Sequence, residues 1–164
     1  MKVVSGEPDN VVSELTRLLT EYKTYIDLEL IFDSEQDFLY RQKGQLKLDN
    51  SIIEEFLPWL TTPSALPELS RDVRVGPTTC FSSVYFASHL GQDANGLGMM
   101  IRVKDQDFAI CRKLYLKASH DRSYNECVEH ETFVAYVATE IKTNLDKTMF
   151  QGACATAHDV KTVV

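Results

Sequence analysis

Hydrophobic positions along the first part of the chain recur at helical spacing. In residues 11–30, VVSELTRLLTEYKTYIDLEL, the positions Val11, Leu15, Leu18, Tyr22 and Ile26 fall three or four apart, which predicts an amphipathic helix with Asp9 or Asn10 as its cap. A second helical patch follows Asp33 and Ser34 through Phe38 and Leu39. Ser51-Ile-Ile-Glu54 reads as a capping box opening a short helix that Pro58 bends or stops. The stretch TTPSALPELSRDVRVGPTT carries three prolines and a glycine and predicts a loop joining two halves.

The pattern then changes. CFSSVYFA, residues 80–87, fits a short strand or a helix, and periodicity does not decide. GLGMMIRVKDQDFAICRKLYLKAS predicts two strands, 98–104 and 107–117, separated by a tight Asp-Gln turn. HDRSYNECVEHE, residues 120–131, is polar and predicts an irregular excursion; residues 133–142, FVAYVATEIK, predict a third strand. Asp146 then suits an N-cap, with Phe150, Ala153, Cys154, Ala157 and Val160 on one stripe of a following helix. Helices first and a strand–strand–strand–helix block after them predict an α/β or α+β fold, with a mixed sheet centred on 133–142. The expected organisation is a helical part over residues 1–70 and a core over 71–164.

Composition narrows the class. A chain of 164 residues with 44% hydrophobic and 25% charged residues suits one globular domain. No apolar run approaches the roughly 20 residues that span a bilayer, so no membrane association is expected. The N-terminus MKVVSGEPDN has no apolar core of a secretory signal, which makes the cytoplasm the expected location. Cys80, Cys111, Cys127 and Cys154 are scattered without a C-x-x-C pair and read as small buried residues rather than a disulfide framework. The net charge of −7 lies entirely in residues 1–70, where 6 Lys/Arg meet 13 Asp/Glu; residues 71–164 balance at 11 against 11. A locally basic face in IRVKDQDFAICRKLYLK is therefore compatible with phosphate binding. A solvated strand face explains the same charges equally well.

One detail resists a purely structural account. Along a strand, residues two apart share a face, so Val134, Tyr136, Ala138, Glu140 and Lys142 are expected on one side of 133–142. Phe133, Ala135, Val137, Thr139 and Ile141 are expected on the other. Two opposite charges at the end of so apolar a strand must pair, reach solvent at the rim, or serve a site. An ordinary rim pair stabilises by about 0–1 kcal/mol and would explain the spacing.

The surrounding text tips that balance. YVATEIKTNLDKTMFQ, preceded by QDFAICRKLYLKAS and, further upstream, VGPTTCFSS, resembles the catalytic core of the PD-(D/E)xK nucleases. Within them it looks like the type II restriction endonucleases typified by Bpu10I. The resemblance covers roughly residues 75–164 and is strongest over 133–161. It implies that Asp107 and Glu140 hold Mg²⁺ with the Ile141 carbonyl, and that Lys142 touches the attacking water and the phosphate. Asp107, Glu140 and Lys142 would be the catalytic set. It further implies site-specific cleavage of double-stranded DNA to 5′-phosphate ends, and a second endonuclease subunit, identical or different. The related recognition core is CTNAG-like. Gln151, Lys147, Arg112 and Lys113 are candidate DNA or phosphate contacts.

Two departures accompany the likeness. The proline of the PD pair is replaced by Gln106, and the wide gap from Asp107 to Glu140 leaves Asp105 and Glu131 as rivals for the first acid. The fold of that family normally adds a strand after the helix, so the chain is expected to be C-terminally incomplete. Two rival functions follow: a non-catalytic DNA-binding or assembly subunit of a restriction system, and an unrelated domain in which Glu140 and Lys142 merely pair. HETFV lacks the second histidine of a zinc protease, Cys127 and His130 lack a partner pair at finger spacing, and Ser82 and Ser83 lack a nucleophile elbow.

Overall fold

The computed structural model describes residues 4–33, 44–87, 98–142 and 146–161. Helices and a three-stranded antiparallel sheet make up the fold, in agreement with the expected α+β class. Chain contacts divide it into two units: the chain through Arg71 with a short segment from Ile141, and Asp72–Glu140 with the chain from Asp146 onward.

The first unit is helical. Helix α1, Pro8–Tyr25, is capped two residues before Asp9 and three before Asn10, the expected caps: Pro8 takes the first helical turn behind Glu7, which makes no side-chain cap bond. Proline suits that place because its missing N–H would have no partner there. The helix widens into a π-helical segment, Ile26–Phe32. Helix α2, Gly44–Phe56, runs straight through Ser51, so the expected capping box lies inside a helix already under way. Pro58 does end the α-helical geometry, which tightens to a 3₁₀ turn at Leu57–Thr61. Ile26, Ile31 and Ile52 form the buried cluster, with Leu19 and Leu48 packed on it. The patch through Phe38 and Leu39 lies outside the described residues.

The second unit is the sheet with one helix. Strands β1, Arg74–Phe86, β2, Met99–Ala118, and β3, Val128–Thr139, pair in the order β1-β2-β3. The middle strand is thus β2, and the strand leading to Glu140 lies at the edge of the described sheet. The expected two strands around an Asp-Gln turn are one continuous strand. Asp105 pairs with Thr79 and Gln106 with Thr78, so the polar pair is held in a ladder rather than released into a turn. The chain absorbs the irregularity as bulges. Between Gly76↔Ala109 and Thr78↔Gln106, Pro77 of β1 faces both Asp107 and Phe108 of β2. Gly76, at φ +119°, supplies a backbone conformation that side chains disfavour.

Cys80, Ala109 and Cys111 form the sheet's buried cluster with Phe133 and Ala135 against it. Burial pushes the Cys80 thiol, beside Cys111, up to about 12. Helix α3, Lys147–Lys161, starts at the expected cap: the Met149 N–H donates to Asp146 Oδ1 at 2.7 Å. Its buried side is not the expected stripe. Thr156 is buried and Ala153 half-buried, whereas Phe150, Cys154 and Ala157 are exposed. Val160's side chain lies outside the described residues.

Candidate active site

The β2–β3 ladder opens with Phe108↔Thr139. The next residues outward are Asp107 on β2 and Glu140 just past β3, where the β2–β3 ladder stops midway along β2. That alignment depends on a further bulge, the third shift of register in the sheet. Ile110 pairs with Val137 but Cys111 with Ala135, leaving Tyr136 as an extra residue in β3. Without that residue the inner register would set Glu140 beside Gln106 and leave Asp107 opposite Thr139. Bulges of this kind re-aim residues next to functional sites.

The same irregularity corrects the expected geometry of the charged pair. The strand ends at Thr139, so Glu140, Ile141 and Lys142 lie beyond it. The extra residue at Tyr136 also breaks the two-residue alternation, so Glu140 does not continue the row of Val134 and Tyr136. Glu140 is half-buried, Ile141 buried and Lys142 exposed. Ile141 anchors its segment, as an apolar residue between two charges can. By contacts, Glu140 belongs to the sheet unit, whereas Ile141 and Lys142 belong to the helical one.

The rival acids are placed elsewhere. Asp105 accepts a hydrogen bond from Thr79 Oγ1 at 2.5 Å on the β1 side. Glu131 pairs with Tyr115 far down the ladder and binds Lys113 Nζ at 2.9 Å. Nine residues of strand separate it from Glu140, roughly 30 Å at about 3.3 Å each. Of the three acids, Asp107 is the one that the β2–β3 register carries to Glu140.

Gln106 gives a signal that the sequence did not. It is 4% exposed, and its Nε2 finds no hydrogen-bond partner among the described residues. A buried amide beside two acids is costly unless something else satisfies it. In the sequence the position stands out as half of an expected turn and as the missing proline of the motif, neither of which signals burial.

The other candidate contacts are spread out. Lys147 and Gln151 are exposed on the first turns of α3. Arg112 pairs with Asp72 at 3.0 Å and lies 5.9 Å above the Tyr136 ring. Lys113 lies 5.3 Å from the Tyr115 ring. Its pairing with Glu131 raises its pKa, and Lys117 is raised likewise by Glu129.

No group of three or more His, Cys, Asp and Glu side chains able to hold a metal occurs among the described residues. Two carboxylates, Asp107 and Glu140, are a smaller set, but both are hard oxygen donors. Mg²⁺ needs no more, because it keeps several of its waters and takes only one or two carboxylates. No helix among the described residues is long and apolar enough to cross a membrane. A family model described as Bpu10I restriction endonuclease matches residues 45–164. No curated protein matches the chain.

Proposed function

The chain belongs to the Bpu10I restriction endonuclease family, and from that membership we propose that it hydrolyses double-stranded DNA at specific sites with Mg²⁺ held by Asp107 and Glu140. The observation that supports this reading is the β2–β3 register, in which Asp107 and Glu140 are the residues that follow the last ladder pair, Phe108↔Thr139. The Ile141 carbonyl completes the oxygen set. When bound, the ion supplies charge neutralisation at the scissile phosphate.

The chain's own groups do the rest. Asp107 and Glu140 fix the position of the site relative to the sheet. Lys142, two residues beyond Glu140 in the sequence, places an ammonium group to orient the attacking water and offset charge on the phosphate. Water adds to phosphorus, the bond to the 3′ oxygen breaks, and that oxygen leaves with a proton. The products are a 5′-phosphate and a 3′-hydroxyl. Cutting both strands calls for two such centres, so a second endonuclease subunit, identical or different, is part of the reading. The cytoplasm is where it would meet DNA.

The test is incubation of the full chain with supercoiled plasmid and Mg²⁺, with and without EDTA, alongside Asp107→Asn, Glu140→Gln and Lys142→Met. Discrete cuts that EDTA abolishes, and that each substitution slows about 10²-fold or more, are expected. Unchanged cutting in both acid variants would sink the assignment. A second reading, a DNA-binding or assembly subunit without activity, has one observation in its favour: Glu140 and Lys142 lie outside the strand that was expected to align them. Plasmid retention without cuts would select it.

A further inference from the structure

We propose that the outer face of the β2–β3 ribbon, formed by Lys113, Tyr115, Lys117 and Tyr124, reads base edges in the major groove of the duplex. The proposal rests on the nuclease reading and names its sequence-reading element.

The ribbon follows from the pairing. Strand β1 accompanies β2 from Met99 only to Cys111, whereas β3 accompanies it from Phe108 to Ala118. From Arg112 outward the two strands pair, among the described residues, only with each other, and residues 119–127 close the turn. Burial along the ribbon has a period of two. Leu114 and Leu116 are half-buried and Thr132 buried, while Lys113, Tyr115, Lys117, Glu129 and Glu131 are exposed. His130, on the inner side, meets the Met99 carbonyl oxygen at 3.0 Å. Beyond Lys113, one row is therefore the more buried and the other the more exposed, although Phe133, opposite Lys113, still packs on the Cys80, Ala109 and Cys111 cluster.

The outward face carries alternating donors and acceptors. Lys113 pairs with Glu131 at 2.9 Å and Lys117 with Glu129 at 2.8 Å. Lys117 lies 5.7 Å from the ring of Tyr124, and Tyr115 is 69% exposed. A solvated ion-pair ladder is the plain alternative. Such pairs stabilise by only about 0–1 kcal/mol each, and they do not explain two tyrosines kept in water. Tyr124 also adopts φ 57°, a conformation that a bulky residue rarely takes. The turn holds it there: Asp121 accepts from Ser123 N–H at 3.1 Å and from Asn125 N–H at 3.4 Å, and the Ser119 hydroxyl donates to the Glu126 carbonyl.

Charge selects bases over phosphates. Residues 112–134 hold four Lys/Arg and four Asp/Glu, so the ribbon is no phosphate-binding strip. Base edges offer acceptors and donors together: lysine suits the guanine O6 and N7, a glutamate accepts from cytosine N4, and an apolar surface meets the thymine methyl. Two strands about 4.8 Å apart fit a groove about 12 Å wide. Lys113 lies six residues from Asp107 along the same strand, about 20 Å if extended. That places the bases read within about six base pairs of the cut.

The experiment cuts a randomised duplex library with the full chain and Mg²⁺ and sequences the ends. It compares the natural chain with Tyr115→Ala and with the exchange Lys113→Glu plus Glu131→Lys, which retains the ion pair. Melting is followed alongside. The natural chain is expected to give one consensus, with preference at one or more positions falling about tenfold or more in both variants at unchanged melting temperature. The natural consensus in both variants would overturn the ribbon's role while leaving the nuclease reading standing. So would cuts by the natural chain without any consensus. Absence of cutting and of duplex retention would remove both.

Discussion

At the residue scale, Cys80 and Cys111 show what burial does to chemistry. Both are fully buried, whereas Cys154 is exposed. With its thiol pushed up to about 12, Cys80 holds only about one part in ten thousand as thiolate at pH 8, and the thiolate is the reactive form. Ellman's reagent at pH 8 should therefore modify Cys154 quickly and leave Cys80 and Cys111 untouched until denaturant is added; prompt modification of all four would contradict the packing. Gly98 is the other diagnostic position. At φ +61° a Cβ there would clash with the Ala87 carbonyl oxygen, where the Ala87 N–H donates to the Gly98 carbonyl at 2.9 Å. Gly98→Ala should cost more than the usual ~1 kcal/mol of a misplaced side chain, read as a lower urea midpoint with unchanged slope. Asp107 and Glu140 are recognisable from the motif, whereas Gln106 reads from sequence as a turn residue and a missing proline, not as a buried amide. Its burial comes from pairing with Thr78, a residue distant in the sequence.

At the element scale, local signals fared best where the cause is local. Asp146 was legible as a cap because the bond it makes is to Met149, three residues away. Asp146→Ala should cost about 0.5–2 kcal/mol, measured by thermal melting of α3-dependent helicity. The expected turn at Asp105-Gln106 failed because strand pairing with Thr78 and Thr79 outweighs a weak turn signal. The bulge at Tyr136 has no sequence signature, and it shifts the β2–β3 register by one on the way to Thr139. The β2–β3 turn also carries a pH response. Glu129 is held below its ordinary range chiefly by Lys117, and Asp121 by Ser123. Their contribution is present above the unfolded carboxylate values near 4 and is lost as pH falls through the lower folded values. Lys113 and Lys117 are raised, so theirs is present below about 10.4 and is lost as pH rises through the folded values. Amide exchange across 119–127 should be slowest between those limits and quicken on either side; a monotonic trend, after correction for intrinsic exchange, would contradict the pairing.

At the scale of the whole molecule, charge is divided along the chain. All seven net negative charges come from residues 1–70, so DNA bound by the sheet unit gains little from long-range attraction. The affinity for random-sequence duplex should fall only shallowly as salt rises, with a slope equivalent to a few neutralised phosphates. A steep slope, equivalent to eight or more, would show a basic surface that the described residues do not contain. The helices-plus-sheet class was readable because helical spacing in residues 11–30 gives way to strand-like runs from about residue 98, whereas β1, Arg74–Phe86, spans a stretch read as a loop and one that periodicity left undecided.

The sequence by itself determined the family, the succession of helices, sheet and final helix, and the residue types able to hold a hard cation, because each is written in local spacing. Tertiary structure alone decided the continuity of β2, the central strand and the register. Those depend on pairings between residues tens of positions apart, and one extra residue in a strand moves every later partner by one. The motif names the chemistry; the bulges decide where it can assemble.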